Sequence, residues 1–138
     1  MSELNDFNQK VITEFRANQG KVGGQMAGMP ILLLSTTGAK TGRTLTKPLA
    51  YTMDGNRLVV IASFAGSPHH PAWYVNLVAN PTVTIELGTE SFQARATTTS
   101  GEERQRLFNA QAQLMPIFND YTKKTSRELP VVVFERIN

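Results

Sequence analysis

The residues best suited to chemistry lie in the loop Gly38-Ala39-Lys40-Thr41-Gly42-Arg43. Two glycines let backbone N–H groups approach an anion, Lys40 and Arg43 bring positive charge, and Thr41 adds a hydroxyl. It is not a Walker loop. That motif needs a glycine directly before the lysine and a helix afterwards, whereas here Ala39 precedes Lys40 and an extended segment follows. The surrounding charge also suits an anion: between Glu14 and Asp54 there is no acidic residue, while Arg16, Lys21, Lys40, Arg43 and Lys47 all fall there. A one-signed stretch of this kind creates a positive field. A plain hairpin loop on a solvated basic face reads equally well from composition alone.

Other candidates are weaker. His69-His70 invites a metal, but adjacent loop residues seldom point at one ion, and the chain has no further histidine and no cysteine to complete a ligand set. No metal is expected. Ser63 lacks the Gly-x-Ser-x-Gly elbow of a hydrolase nucleophile. Trp73 and Tyr74 read either as core or as rings lining a pocket for a flat cofactor. Met26, Met29, Phe64, Phe118 and Tyr121 read likewise, as core or as walls of an adaptable apolar substrate cavity.

The elements that position these residues follow from periodicity. Leu4, Phe7, Val11, Ile12 and Phe15 recur at helical spacing, with Ser2 available as a cap, so a helix of about residues 2–18 ends near Gly20. Four glycines between Gly20 and Pro30 mark a linker or a closing loop. The apolar run 31–36 reads as a buried strand, with further strands at 45–53 and 57–63 joined by a hairpin at Asp54-Gly55-Asn56. Pro48 removes a ladder donor and belongs at an edge or bulge.

Pro71 suits the first turn of a helix that Asn80-Pro81 stops. Segments 82–87 and 91–98 form a hairpin around Gly88. A helix capped by Ser100 follows, broken at Met115-Pro116, and 130–134 closes the chain as a strand. The order is helix, three strands, helix, two strands, helix, strand. Hairpins dominate, so the expected architecture is α+β: a mainly antiparallel barrel or strongly curled sheet with helices outside.

The 138 residues suit one domain, and 41% hydrophobic residues suffice for a core. The absence of cysteine excludes disulfides and thiolate chemistry and fits a cytoplasmic protein. No apolar run reaches the roughly 18–20 residues that span a bilayer, and the N-terminus lacks a signal peptide's pattern. Membrane contact through the first helix stays open, although its polar face carries little Lys or Arg. Nucleic acid is not expected, because aromatic residues do not interleave with the basic ones.

Taken together, Gly38-Ala39-Lys40-Thr41-Gly42, Pro48-Leu49, Asp54-Gly55 and the block Pro71-Ala72-Trp73-Tyr74-Val75-Asn76-Leu77-Val78-Ala79-Asn80-Pro81 carry a family resemblance. From about Ile31 to Glu135 the chain resembles the deazaflavin-dependent nitroreductase family, the A-type branch of the actinobacterial flavin/deazaflavin oxidoreductases. The N-terminal helix is the variable part. The resemblance implies a split β-barrel of the FMN-binding type and, as cofactor, coenzyme F420, a deazaflavin with a phosphate and a polyglutamate tail.

By position it assigns cofactor contacts to Ala39, Lys40, Thr41 and Arg43, to Leu45, Thr46, Lys47, Pro48, Leu49 and Ala50, to Ile61, Ala62, Ser63 and Phe64, and to Ala72, Trp73, Tyr74, Val75 and Asn76. It sets Ser63, Phe118 and Tyr121 near the ring and substrate; Met26 and Met29 stay candidate substrate-cavity walls by residue type. Leu45 stands where many members carry arginine, flanked by Arg43 and Lys47, and Phe64-Ala65 stand where many have lysine-glycine. Met115 and Phe118 replace tyrosines of the nitroreductase, which leaves nitroimidazole reduction open.

The reaction so implied is hydride transfer from the reduced deazaflavin to a small hydrophobic acceptor: an activated C=C bond, a quinone or a nitroaromatic. Tyr121, Ser63 or solvent would supply the proton. An FMN-dependent oxidoreductase on the same barrel and a non-catalytic carrier are the alternatives, and the sequence allows a monomer or a dimer.

Overall fold

The computed structural model describes residues 3–20, 30–63, 69–125 and 128–137. In chain order the elements are α1 (Glu3–Ala17), β1 (Ile31–Thr37), β2 (Thr44–Ala50), β3 (Thr52–Asp54), β4 (Arg57–Ile61), α2 (Ala72–Ala79), β5 (Thr82–Leu87), β6 (Glu90–Thr98), α3 (Gly101–Leu114), α4 (Ile117–Lys124) and β7 (Val131–Ile137). The strands form one seven-stranded sheet in the order β2-β1-β5-β6-β7-β4-β3, and every pairing is antiparallel. The expected α+β, hairpin-rich sheet is what forms.

One connection dictates the sheet's shape. Strands β2 and β3 are its two edges, yet only Tyr51 separates them in the chain. One residue spans less than about 4 Å. The sheet must therefore curl until its edges meet, which is a barrel split between β2 and β3. Here the structure departs from the expected continuous strand 45–53: the chain leaves β1's partner at Ala50 and joins β4 at Thr52. The Tyr51 amide extends the β1–β2 register by one pair, donating to the Pro30 carbonyl at 3.1 Å before the chain passes to β4.

Side-chain alternation along the strands sorts residues to two faces. Leu32 and Leu34 of β1, Leu58 and Val60 of β4, Val83 and Ile85 of β5, Ala94 and Ala96 of β6, and Val132 and Phe134 of β7 meet in one interior cluster, plugged by Trp73 and Leu77 of α2. On the outer face, Val59, Ile61, Val131 and Val133 pack under Leu107, Phe108 and Ala112 of α3 and Phe118 of α4. Ile31 and Leu33 pack outward against Ile12 and Phe15 of α1. That interface is clamped by a bidentate pair from Arg16 to Glu86, at 3.0 and 2.8 Å.

Most local expectations hold with shifted ends. Pro48 sits on the edge strand, where no ladder bond is lost. Gly55, at φ 63°, turns the β3–β4 hairpin. Strand β4 stops at Ile61, before Ser63, and Pro71 occupies the N-cap of α2 instead of its first turn. Ser100 holds the N-cap of α3 without a side-chain capping bond. Beyond the break at Met115-Pro116 the chain forms a further helix, α4, and the last strand runs to Ile137. Among the described residues no helix is long and apolar enough to cross a membrane.

Candidate functional site

The loop Gly38–Arg43 is the turn of the β1–β2 hairpin, entered and left through the Thr37–Thr44 pair. Its conformation is set from within. The Gly38 amide donates to the Arg43 carbonyl at 2.7 Å, and the Gly42 amide to the Gly38 carbonyl at 3.0 Å. The Arg43 amide donates to Thr41 Oγ1 at 3.2 Å. A Cβ at position 38 would stand 2.6 Å from that oxygen and 3.1 Å from the Arg43 carbonyl, so a side chain there would displace the Thr41 hydroxyl from its bond.

The Ala39 amide leaves the loop and donates to Asn76 Oδ1 on α2 at 3.1 Å. Four of the six loop amides are thereby engaged. Among the described residues those of Lys40 and Thr41 have no acceptor, and a ligand that covers them would have to supply one.

Between this loop and α2 lies a cleft of about 540 Å³, lined by Gly38, Ala39, Lys40, Thr41, Arg43, Thr44, Leu45, Ala72, Val75 and Asn76. Ala72 belongs to the first turn of α2, where unpaired amides and the positive end of the helix dipole favour negative charge. Lys40 and Arg43 are exposed, and among the described residues neither forms an ion pair. Arg16, by contrast, is withdrawn from the basic stretch by Glu86, which lies far away in sequence; that hydrogen bond raises its pKa.

The cleft therefore gathers eight of the expected cofactor contacts: Ala39, Lys40, Thr41, Arg43, Leu45, Ala72, Val75 and Asn76. Alternation divides the rest of β2. Leu45 and Leu49 lean on the interior cluster, and Lys47 shares their face. Thr46 faces outward and pairs its hydroxyl with Ser35 Oγ at 2.7 Å, while Ala50 packs toward α1. Pro48, between them, belongs to the same outward set.

Trp73 is a core residue of the barrel interior, edge-on to Tyr74 at 6.4 Å. The Tyr74 hydroxyl meets Thr98 Oγ1 at 3.2 Å. Ile61 lies in the outer cluster and Ala62 in the interior one. Gly38 and Thr44 line the cleft although neither was among the assigned cofactor contacts, and Thr36 enters as the buried acceptor of Asn76 Nδ2 at 3.1 Å. The signal for Thr36 was available: a threonine in register with the inward leucines of β1 needs a polar partner.

The expected ring and substrate residues lie elsewhere. Phe118 and Tyr121 belong to the outer cluster beneath α3 and α4, edge-to-face at 5.7 Å, with Lys124 Nζ 5.8 Å from the Tyr121 ring. Ser63 is buried just beyond β4. None of the three lines the cleft. Met26, Met29 and Phe64 lie outside the described residues. His69 and His70 are exposed, and among the described residues no group of three or more His, Cys, Asp or Glu could hold a metal.

Comparison with known proteins bears on this geometry. Residues 8–136 match the family model of the F420H(2)-dependent quinone reductases. An F420H(2)-dependent quinone reductase of Mycobacterium tuberculosis is 37% identical over 131 residues, covering 88% of this chain and 85% of the relative. Among solved structures, an F420-H2 dependent reductase is 36% identical with a TM-score of 0.70, covering 77% of this chain and 94% of that one. A second, described as a domain-swapped dimer, is 33% identical with a TM-score of 0.72, over 96% and 100% of the two chains.

Proposed function

The chain belongs to the F420H(2)-dependent quinone reductase family, and from that premise we propose that the cleft between the β1–β2 loop and α2 holds the phosphate-bearing arm of coenzyme F420. The protein is an F420-dependent reductase, and its acceptor in this reading is a quinone. The observation that carries the assignment is the pair of cations, Lys40 and Arg43, that form no ion pair among the described residues, beside two loop amides without a partner there and the first turn of α2.

These residues fit an anionic arm. Lys40 and Arg43 supply charge, the Lys40 and Thr41 amides supply fixed donors, and the Thr41 hydroxyl can still donate while accepting from Arg43. Leu45, Ala72 and Val75 add apolar surface beside these donors. When bound, the reduced deazaflavin supplies a hydride. A quinone that accepts hydride at one oxygen-conjugated centre needs one proton to become the hydroquinone. We assign that proton to the Tyr121 hydroxyl, whose ring is held by Phe118, and a hydrogen bond to the developing negative charge to Ser63.

Titration with F420 and with FMN, followed through each ligand's own absorbance, tests the cofactor assignment. Saturable binding of F420, with FMN much weaker, is expected, together with quinone-dependent oxidation of the reduced cofactor. Saturation by FMN alone would overturn the deazaflavin reading, and binding without turnover would turn the protein into a carrier.

A further inference from the structure

Asn76 is the one amide side chain of α2, and it is buried, although the helix exposes Val75 and Val78 to solvent. Its two amide atoms have different, unambiguous jobs. The Ala39 N–H can only donate, so the atom facing it at 3.1 Å must be the carbonyl oxygen Oδ1. The NH2 group is then directed to Thr36 Oγ1 at 3.1 Å, which must act as acceptor. Thr36 is only 2% exposed and does not line the anion cleft. A buried amide whose NH2 group lost its acceptor would pay the full desolvation penalty, and flipping to recover it would remove the acceptor of Ala39.

We propose that Thr36 and Asn76 form a positioning relay that sets the backbone of the β1–β2 loop and thereby aims the open amides of Lys40 and Thr41 into the cleft. This rests on the reading of the cleft as the site of the cofactor's anionic arm. Three elements meet in the relay: β1 through Thr36, α2 through Asn76, and the loop through Ala39. The loop's internal bonds, Gly38 to Arg43 and Gly42 to Gly38, close its neck but do not hold it against α2. The Ala39 bond does. Without it the Lys40 and Thr41 amides are free to swing away from the first turn of α2, and the two halves of the anion site part. Thr36 is thus a positioning residue that acts on a ligand it does not touch.

The test separates the relay from the site it serves. Thr36→Val removes the hydroxyl with little change of shape, and Thr36→Ala removes it with no bulk. In the protein without cofactor, either variant should speed hydrogen exchange of the Ala39 amide about tenfold while leaving strand β1 protected. The Kd for F420 should rise about fivefold, the effect of one weakened hydrogen-bonded contact, with KM for the reduced cofactor following it and kcat falling less than about twofold. Thr36→Ser should restore both exchange and affinity. Lys40→Ala is the reference: if it weakens F420 binding while the Thr36 variants leave Ala39 exchange and Kd unchanged, the relay is wrong and the cleft stands. If Lys40→Ala has no effect either, the cleft reading fails and the relay with it.

Discussion

Two hairpins of this barrel treat their charges in opposite ways. At the β3–β4 turn every charge has a partner: Arg106 binds both oxygens of Asp54 at 3.0 and 3.4 Å, Arg57 binds Asp54 from the other side, and Arg57 also reaches Glu103 at 3.2 Å. This network pins the hairpin to α3, and the hydrogen bonds from Arg106 and then Arg57 lower the Asp54 pKa to about 2. At the β1–β2 turn, Lys40 and Arg43 have no such partner among the described residues, and the loop's order comes from backbone bonds and Asn76. Paired charges hold an element in place. Cations left unpaired around a structured cleft are available to a ligand.

That contrast breaks most visibly on substitution. Replacing both Lys40 and Arg43 by alanine should raise the Kd for F420 by about 100-fold, since each charge-assisted contact is worth roughly tenfold or more, while Tm moves by no more than about 2 °C. Asp54→Asn should do the reverse, lowering Tm by about 3 °C with F420 affinity within about twofold of the parent. Isothermal titration and thermal melts on the three proteins decide it; a stability loss in the Lys40/Arg43 variant without an affinity loss would erase the distinction.

The next effect separates binding from chemistry. Tyr121 lies with Phe118 in the outer cluster, away from the cleft lining. Tyr121→Phe should lower quinone-dependent turnover about tenfold with Kd for F420 little changed. Equal turnover in steady-state assays would leave the proton to solvent and remove Tyr121 from the reaction.

The smallest effect sharpens the other hairpin. Asp54 is depressed in the folded protein to about 2, below the ordinary carboxylate value of about 3.9. Its stabilisation is therefore complete above about pH 4 and disappears as the pH falls toward 2. Melts from pH 6 to 2 should show the gap in Tm between the parent and Asp54→Asn closing across that window. A gap that stays constant would mean that the Arg57 and Arg106 pairing contributes nothing.

What could be read from the sequence was local. The Asp54-Gly55-Asn56 and Gly88 turns, the edge position of Pro48 and the stop at Asn80-Pro81 follow from backbone chemistry at single residues. What was not legible depends on partners far along the chain. Arg16 looked free until the fold brought Glu86 beside it. The apparent strand 45–53 is divided at Tyr51 because barrel closure passes its two halves to different neighbours. Trp73 reads in sequence as core or as a pocket ring, and the curl of the sheet puts it in the interior cluster.

A crystal structure of the protein with F420 bound tests the central claim most directly. The expected result is phosphate oxygens within about 3.2 Å of the Lys40 and Thr41 amides, with the Lys40 and Arg43 side chains closing over them and the Ala39–Asn76–Thr36 bonds intact. A phosphate bound away from the β1–β2 loop, with Lys40 and Arg43 still directed into solvent, would contradict it.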